Sequence, residues 1–255
     1  QGARVLVIGD AEVLVSQYAG LLPGRSFTEL RVRGLDLTLE RQRDGSWRLR
    51  GLPGERQGGD PFATFERLGE LQVVAGKLHV VAPALGIDAA LPRVDVRLQV
   101  HGDRVRAGVR AWMREGATPL LGALDFRRGT GDGRVYVAAK RADFSAWSPL
   151  LRVAGVRMAR GQGRAETWLG LHAHRVVAAT ASVAIDGARL EGVPLASGAA
   201  TAVDLGHLEG LARWGLVDGG WRVDVSKLRV GAGNAVQSLD GLRLDTFPYV
   251  DRAFW

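Results

Sequence analysis

The sequence predicts an all-β chain with only short helices, and three observations carry that prediction. Apolar and polar residues alternate in segment after segment: in 94–100, Val94, Val96, Leu98 and Val100 point one way, and Asp95, Arg97 and Gln99 the other. Such a period of two places alternate side chains on opposite faces of a strand. The 35 glycines fall between short apolar runs, where turns and bulges belong. Strand-like segments recur at short, regular spacing for most of the 255 residues, the pattern of a sandwich, a barrel or an open extended sheet.

Taken in order, RVLVIGD and EVLVS open the chain as strands, and SQYAGLLPG has room for one helical turn. In ELRVRGLDLTLER the apolar phase slips at Gly34: Leu30 and Val32 are even-numbered, Leu35, Leu37 and Leu39 odd. A glycine bulge produces such a slip. Asp44-Gly45 suits a two-residue hairpin turn into Trp47-Arg48-Leu49. DPFATFERLGEL places Asp60 at an N-cap and Pro61 at N1, with Phe62, Phe65 and Leu68 at helical spacing, so a short amphipathic helix is expected over 61–69.

A meander follows: KLHVV, GIDAAL, RVDVRLQV, a turn at HGD, RVRAGVRAWM, GALDF, a turn at RGTGDG, and RVYVAAK. DFSAWSPLLRVAG is expected to interrupt it with a second short helix over 145–153. The last third resumes with GRAETWLGLHAH, RVVAATASVAIDG, GAATAVDL, GGWRVDVSKLRV and DGLRLDT. The strands are expected to follow one another as simple hairpins, and a close-packed double sheet would favour more bulk than the small residues of Ala178–Ala184 supply. Pattern alone nonetheless leaves sandwich or barrel and open groove as alternatives.

Composition narrows the function. Hydrophobic residues make up 46% and charged residues 24%, an ordinary globular balance. With no cysteine, no disulfide framework can form, and both cytoplasm and periplasm stay open. The net charge is +7, but of the 34 basic residues only Lys77, Lys140 and Lys227 are lysines, and Asn234 is the sole asparagine. That skew reads as the codon bias of a GC-rich genome. The arginines are spread over polar strand phases without a basic run or basic helix, so no nucleic-acid partner is expected. No apolar run approaches the roughly 20 residues of a membrane helix. Beginning at Gln1, with no leader-like start, the sequence reads as a piece of a longer protein.

Signatures of catalysis are weak. His172 and His174 could share one side of a strand, but His79, His101 and His207 lie in unrelated contexts, and zinc needs three or four protein ligands. No metal or other cofactor is expected. GAGNAV has Val236 where a third glycine belongs, and GQGRAE has none; both read as turns. A nucleophile elbow is absent, and Glu66 and Glu70 make no convincing acid pair. The chain reads as non-enzymatic. Among the tryptophans, Trp168 shares its phase with Arg164 and Glu166, so it belongs on the polar side of its strand or at a rim. A carbohydrate-active sandwich would need a polar aromatic cleft, and the sequence singles none out.

Three ordered segments resemble a known family. FTELRVRGLDLTLERQRDGSWRLRGL resembles the start of AsmA-like proteins, in which an alternating strand leads through an Asp-Gly turn into a tryptophan-containing strand. GRAETWLGLHAHRVVAATASVAIDGARLEGV and LEGLARWGLVDGGWRVDVSKLRV are similar to the YhdP branch of that superfamily. The resemblance implies a bridge-like lipid-transfer protein of Gram-negative bacteria, anchored in the inner membrane and projecting through the periplasm towards the outer membrane. It also implies a long, bent, mostly antiparallel sheet forming an open groove with an apolar concave face. Residues 1–255 would then be a single β-groove segment, the N-terminal periplasmic part of a membrane-anchored protein. On that reading the anchor and the part that reaches the outer membrane are expected outside this piece.

On that reading the partners are phospholipid acyl chains. The lining residues are Leu35, Leu37, Leu39, Leu78, Val80, Val94, Val96, Leu98, Val100, Val105, Val109, Val135, Val137, Val183, Ile185, Val223 and Val225. About fourteen strands at ~4.8 Å spacing would give a groove roughly 65 Å long. Exposing an acyl chain to water costs about 0.8 kcal/mol per CH₂, so such a lining serves transfer without any catalytic group. The runner-up function is a periplasmic scaffold or chaperone in outer-membrane protein assembly, which would use strand edges rather than the apolar face.

Overall fold

Alternation, glycine bulges and tight turns combine into one open sheet of sixteen strands, seen here in a computed structural model. The structure describes residues 10–15, 28–43, 47–51, 66, 69–150, 152–153, 156–192, 201–218, 220–232 and 235–246. Of these, 79% are strand and 4% helix. The sheet is mostly antiparallel and does not close.

Its first part comprises β1 (Asp10–Val15), β2 (Thr28–Arg33), β3 (Asp36–Arg41), β4 (Trp47–Arg50), β5 (Glu70–Ala82), β6 (Ile87–His101), β7 (Arg104–Trp112), β8 (Leu120–Arg127) and β9 (Gly133–Asp143). Helix α1 (Phe144–Trp147) and the two-residue β10 (Arg152–Val153) follow. The long strands come next: β11 (Val156–His172), β12 (Arg175–Glu191), β13 (Ala202–Val217) and β14 (Gly220–Ala232). β15 (Ala235–Leu239) and β16 (Leu242–Thr246) both pair with β14. From β5 to β14 every neighbour on the main path is antiparallel.

Four expectations change. The strands are not all successive hairpins, because β2 and β3 run parallel to β5, reached by a long connection through residues 51–69. The second helix is shorter than expected: only 144–147 is helical, capped by Asp143 accepting the Ser145 amide, and the chain returns to strand at Arg152. Gly161-Gln162-Gly163 is no turn but lies within β11. β15 has no counterpart in the expected strands, being short and exposed at every residue. The expected helix over 61–69 lies outside the described residues apart from helical Glu66 and a bend at Gly69, as do Asp44-Gly45 and the opening strand RVLVIGD apart from Asp10, which begins β1.

The phase slip at Gly34 belongs to a line of bulges that crosses three strands. Gly34 takes a φ of +66° and donates to the Val74 carbonyl, while Lys77 donates to Leu35. On β5 the register shifts between Val73 and Leu78, and Ala75 sits at φ +52°. On β6 the inward set passes from Leu91 to Val94, three residues on rather than two. Because all three strands slip together, the apolar side chains stay on one face above and below the line.

Candidate functional site

Register assembles the apolar side chains into rows, since directly opposed residues on paired strands share a face. One row runs Leu30, Leu71, Leu98, Ala107, Leu124, Val135, Leu169, Ala179, Trp214, Val223, Leu244 from β2 to β16. Beside it lies Val32, Val73, Val96, Val109, Gly122, Val137, Thr167, Ala181, Ala212, Val225, Leu242. Each row extends roughly 50 Å along the sheet at ~4.8 Å per strand.

The expected lining residues fall into this pattern. Val94 and Val183 lie in flanking rows, and Val100 opposes Val105. Leu37 and Leu39 oppose Leu78 and Val80, continuing the face beyond the bulge line. Leu35 stands at the line itself.

An apolar face open along its whole length was expected, but burial divides it in two. Leu35, Leu37, Val80, Val94, Leu98, Val100 and Val105 are buried in a cluster joined by Ile185 and by Phe144 and Trp147 of α1. Val94 and Val105 are at 0% exposure and Leu98 at 9%, so close-packed protein surrounds them. Leu39, Leu78, Val96, Val109 and Val183 pack partly against this cluster. Val135, Val137, Val223 and Val225 are half-buried. Beyond them Leu242 and Leu244 are exposed, Leu244 to 49%. All described strands belong to one sheet, so among the described residues no second sheet covers this end.

The opposite face is polar and held by cross-strand pairs. Arg104 grips both oxygens of Asp125, at 2.7 and 2.6 Å, and Arg106 lies 3.5 Å away; hydrogen bonds from Arg104 hold the Asp125 carboxyl below the usual carboxylate range. Glu70 is buried beneath Arg97, Gln72 and Gln99. Burial alone would raise its carboxyl, but these donors together bring it below its ordinary value. Asp95, also buried, accepts the Ala75 amide of the bulge at 2.9 Å and lies within ion-pair reach of Arg93 and Arg110. The Arg93 guanidinium stacks 4.5 Å above the Trp112 ring.

His172 and His174 do not pair on a strand. His172 ends β11 with Nδ1 2.7 Å from Asp132, whereas His174 sits in the following turn at φ +61°, with Nε2 3.1 Å from the Arg128 carbonyl. The two tie the β11–β12 turn to the β8–β9 turn. Among the described residues no group of three His, Cys, Asp or Glu could hold a metal.

The structure also brings together residues that the sequence kept apart. Trp168 lies on the polar face, as its phase indicated, directly opposite Tyr136 of β9, with ring centroids 5.4 Å apart. Only a pairing register linking strands 32 residues apart could have shown that. Comparison with known families, curated proteins and solved structures finds no match.

Proposed function

We propose that this chain is a segment of a lipid-transfer protein whose apolar sheet face shields phospholipid acyl chains as they pass between membranes. One observation carries the reading: two largely apolar rows, the second interrupted only at Gly122 and Thr167, cross the sheet from β2 to β16, and their exposure grows towards β16 with no second sheet among the described residues. A soluble sheet that spends Leu242, Leu244, Val223 and Val225 on a half-open face leaves apolar area wet, and large uncovered apolar patches mark a binding surface. Acyl chains match such a surface, because they need continuous apolar contact and no directional bonds.

The buried half has a different part in this reading. The cluster around Val94, Val105, Ile185 and α1, to which β9 and β12 also contribute, holds the sheet's shape, and lipid contact belongs to the half-open rows that run from Val135 and Val137 to Leu244 and Leu242. The family resemblance supports the same proposal: a periplasmic segment of the AsmA-like superfamily, YhdP branch, tethered to the inner membrane and acting without a catalytic step. The test is a photo-reactive residue placed at position 225, with lipid extraction and native mass spectrometry of the purified chain. Phospholipid adducts and co-purified phospholipid are expected. A chain that carries no lipid and forms no adduct overturns the reading.

A further inference from the structure

A hollow of about 610 Å³ spans β7 to β12 among residues of the polar face, and Ala107, Leu124, Val135, Leu169 and Ala179 of the first row also border it. That volume falls within the range of small-ligand sites, about 300–1,000 Å³. Tyr136 and Trp168 make one side of it, with Trp168 43% exposed. The floor is low because Ala123, Gly170 and Ala178 carry almost no side chain there. Arg106, Asp125 and Arg134 form the other side.

Charge makes this more than an aromatic pair on a sheet. Asp125 is already engaged by Arg104 through both oxygens. Arg134 stands between Asp125 and Gly170 in register, exposed and with no ion-pair partner among the described residues. Three guanidiniums around one occupied carboxylate leave the rim cationic, with Arg134 presenting a donor fork that suits a carboxylate.

We propose that this hollow binds an acidic saccharide, with a sugar ring stacked on Trp168 and its carboxylate held by Arg134. A sugar ring has one face of C–H bonds, which matches the electron-rich face of an exposed indole. Its hydroxyls find donors on Arg106 and a donor–acceptor on Thr180 at the same hollow. An extended peptide is the poorer occupant. Every strand from β7 to β12 that borders the hollow is paired on both sides, so no backbone edge is free for strand addition.

Saturation-transfer NMR and calorimetry of the purified chain with oligogalacturonate, beside neutral maltohexaose, test this. Oligogalacturonate should bind at least about tenfold more tightly than maltohexaose. Trp168→Ala and Arg134→Ala should each weaken it by about tenfold or more. Trp168→Phe, which keeps an aromatic face, should retain most of the binding and controls for folding. No transfer to either saccharide, or equal affinity for both, overturns the proposal. So does binding indifferent to Trp168→Ala in a variant whose melt is unchanged. If an aspartate-rich peptide binds at Arg134 while both saccharides stay silent, the site belongs to a protein partner and the saccharide assignment falls.

Discussion

Glu70 of β5 and Arg97 of β6 meet diagonally in a two-point pair, Nε to Oε1 at 2.6 Å and Nη2 to Oε2 at 2.9 Å. The partnership is lopsided, since the Glu70 side chain is 5% exposed and that of Arg97 63%. Removing the arginine leaves a buried carboxylate with only amide donors, whereas removing the glutamate leaves a guanidinium that water can reach. Arg97→Met should therefore cost about 2–3 kcal/mol of unfolding free energy and Glu70→Gln less, measured by denaturant titration. Acid should act through the same group. Its folded pKa is depressed, so its stabilisation is complete above the unfolded value of 4.5 and is lost as pH falls through the lower folded value. The wild-type chain should lose stability below about pH 4.5 more steeply than Glu70→Gln does.

Asp95 connects the bulge line to the polar face, because one of its oxygens takes the Ala75 amide while the other faces Arg93 and Arg110. Asp95→Ala strands a backbone donor in a strained turn of the strand and should cost about 1–3 kcal/mol. Asp95→Asn keeps an oxygen for Ala75 and should recover much of that loss. Equal melts for the two variants would mean that the bulge amide does not depend on this side chain.

Two glycines make different demands. A Cβ on Gly34 would meet nothing within 4 Å, so the cost of Gly34→Ala comes from its positive φ alone, about 1–2 kcal/mol. Gly34→Asn should be milder, since asparagine tolerates the left-handed region. At Gly163 a Cβ would fall 2.1 Å from the Ala184 carbonyl oxygen on the paired strand. Gly163→Ala must spread β11 from β12 and should cost about 2–3 kcal/mol, with faster amide exchange at both strands.

Side-chain period made the strands legible, and the face assignments of Val94 to Val100 and Val105 to Val109 follow from it directly. Gly34 was legible as a bulge because the apolar phase slips at a residue with no Cβ. Its partner on β5 was hidden: the backbone turns left-handed at Ala75, where no glycine marks it, and Gly76 beside it takes no positive φ. Parallel pairing of β2 and β3 with β5 depends on where the long connection through 51–69 delivers the chain, which local pattern does not encode. The hollow at Trp168 and Tyr136 exists only once β9 and β11 are in register. Burial of Val94 and Val105 was equally out of reach, since alternation says which face a residue occupies and not what lies over it.

The division of the apolar face gives the sharpest test of the lipid reading. Val94 is fully enclosed, so Val94→Glu buries an unpaired carboxylate and should cost about 3–5 kcal/mol, unfolding a marginal domain. Leu244 lies in the same face but is 49% exposed, so Leu244→Glu can hydrate its charge and should move stability by only about 0.5 kcal/mol. If acyl chains occupy the half-open rows that end at Leu242 and Leu244, that charge sits in their path, and a lipid there would have to desolvate it. Leu244→Glu should then melt like the unmutated chain and yet lose most phospholipid adduct formation from a photo-reactive residue at position 225. A Leu244→Glu variant that melts normally and cross-links lipid as well as the parent would show that β16 is not part of the lipid path. One that unfolds would show instead that this end of the face is covered by protein, and the exposed rows would no longer support a lipid surface.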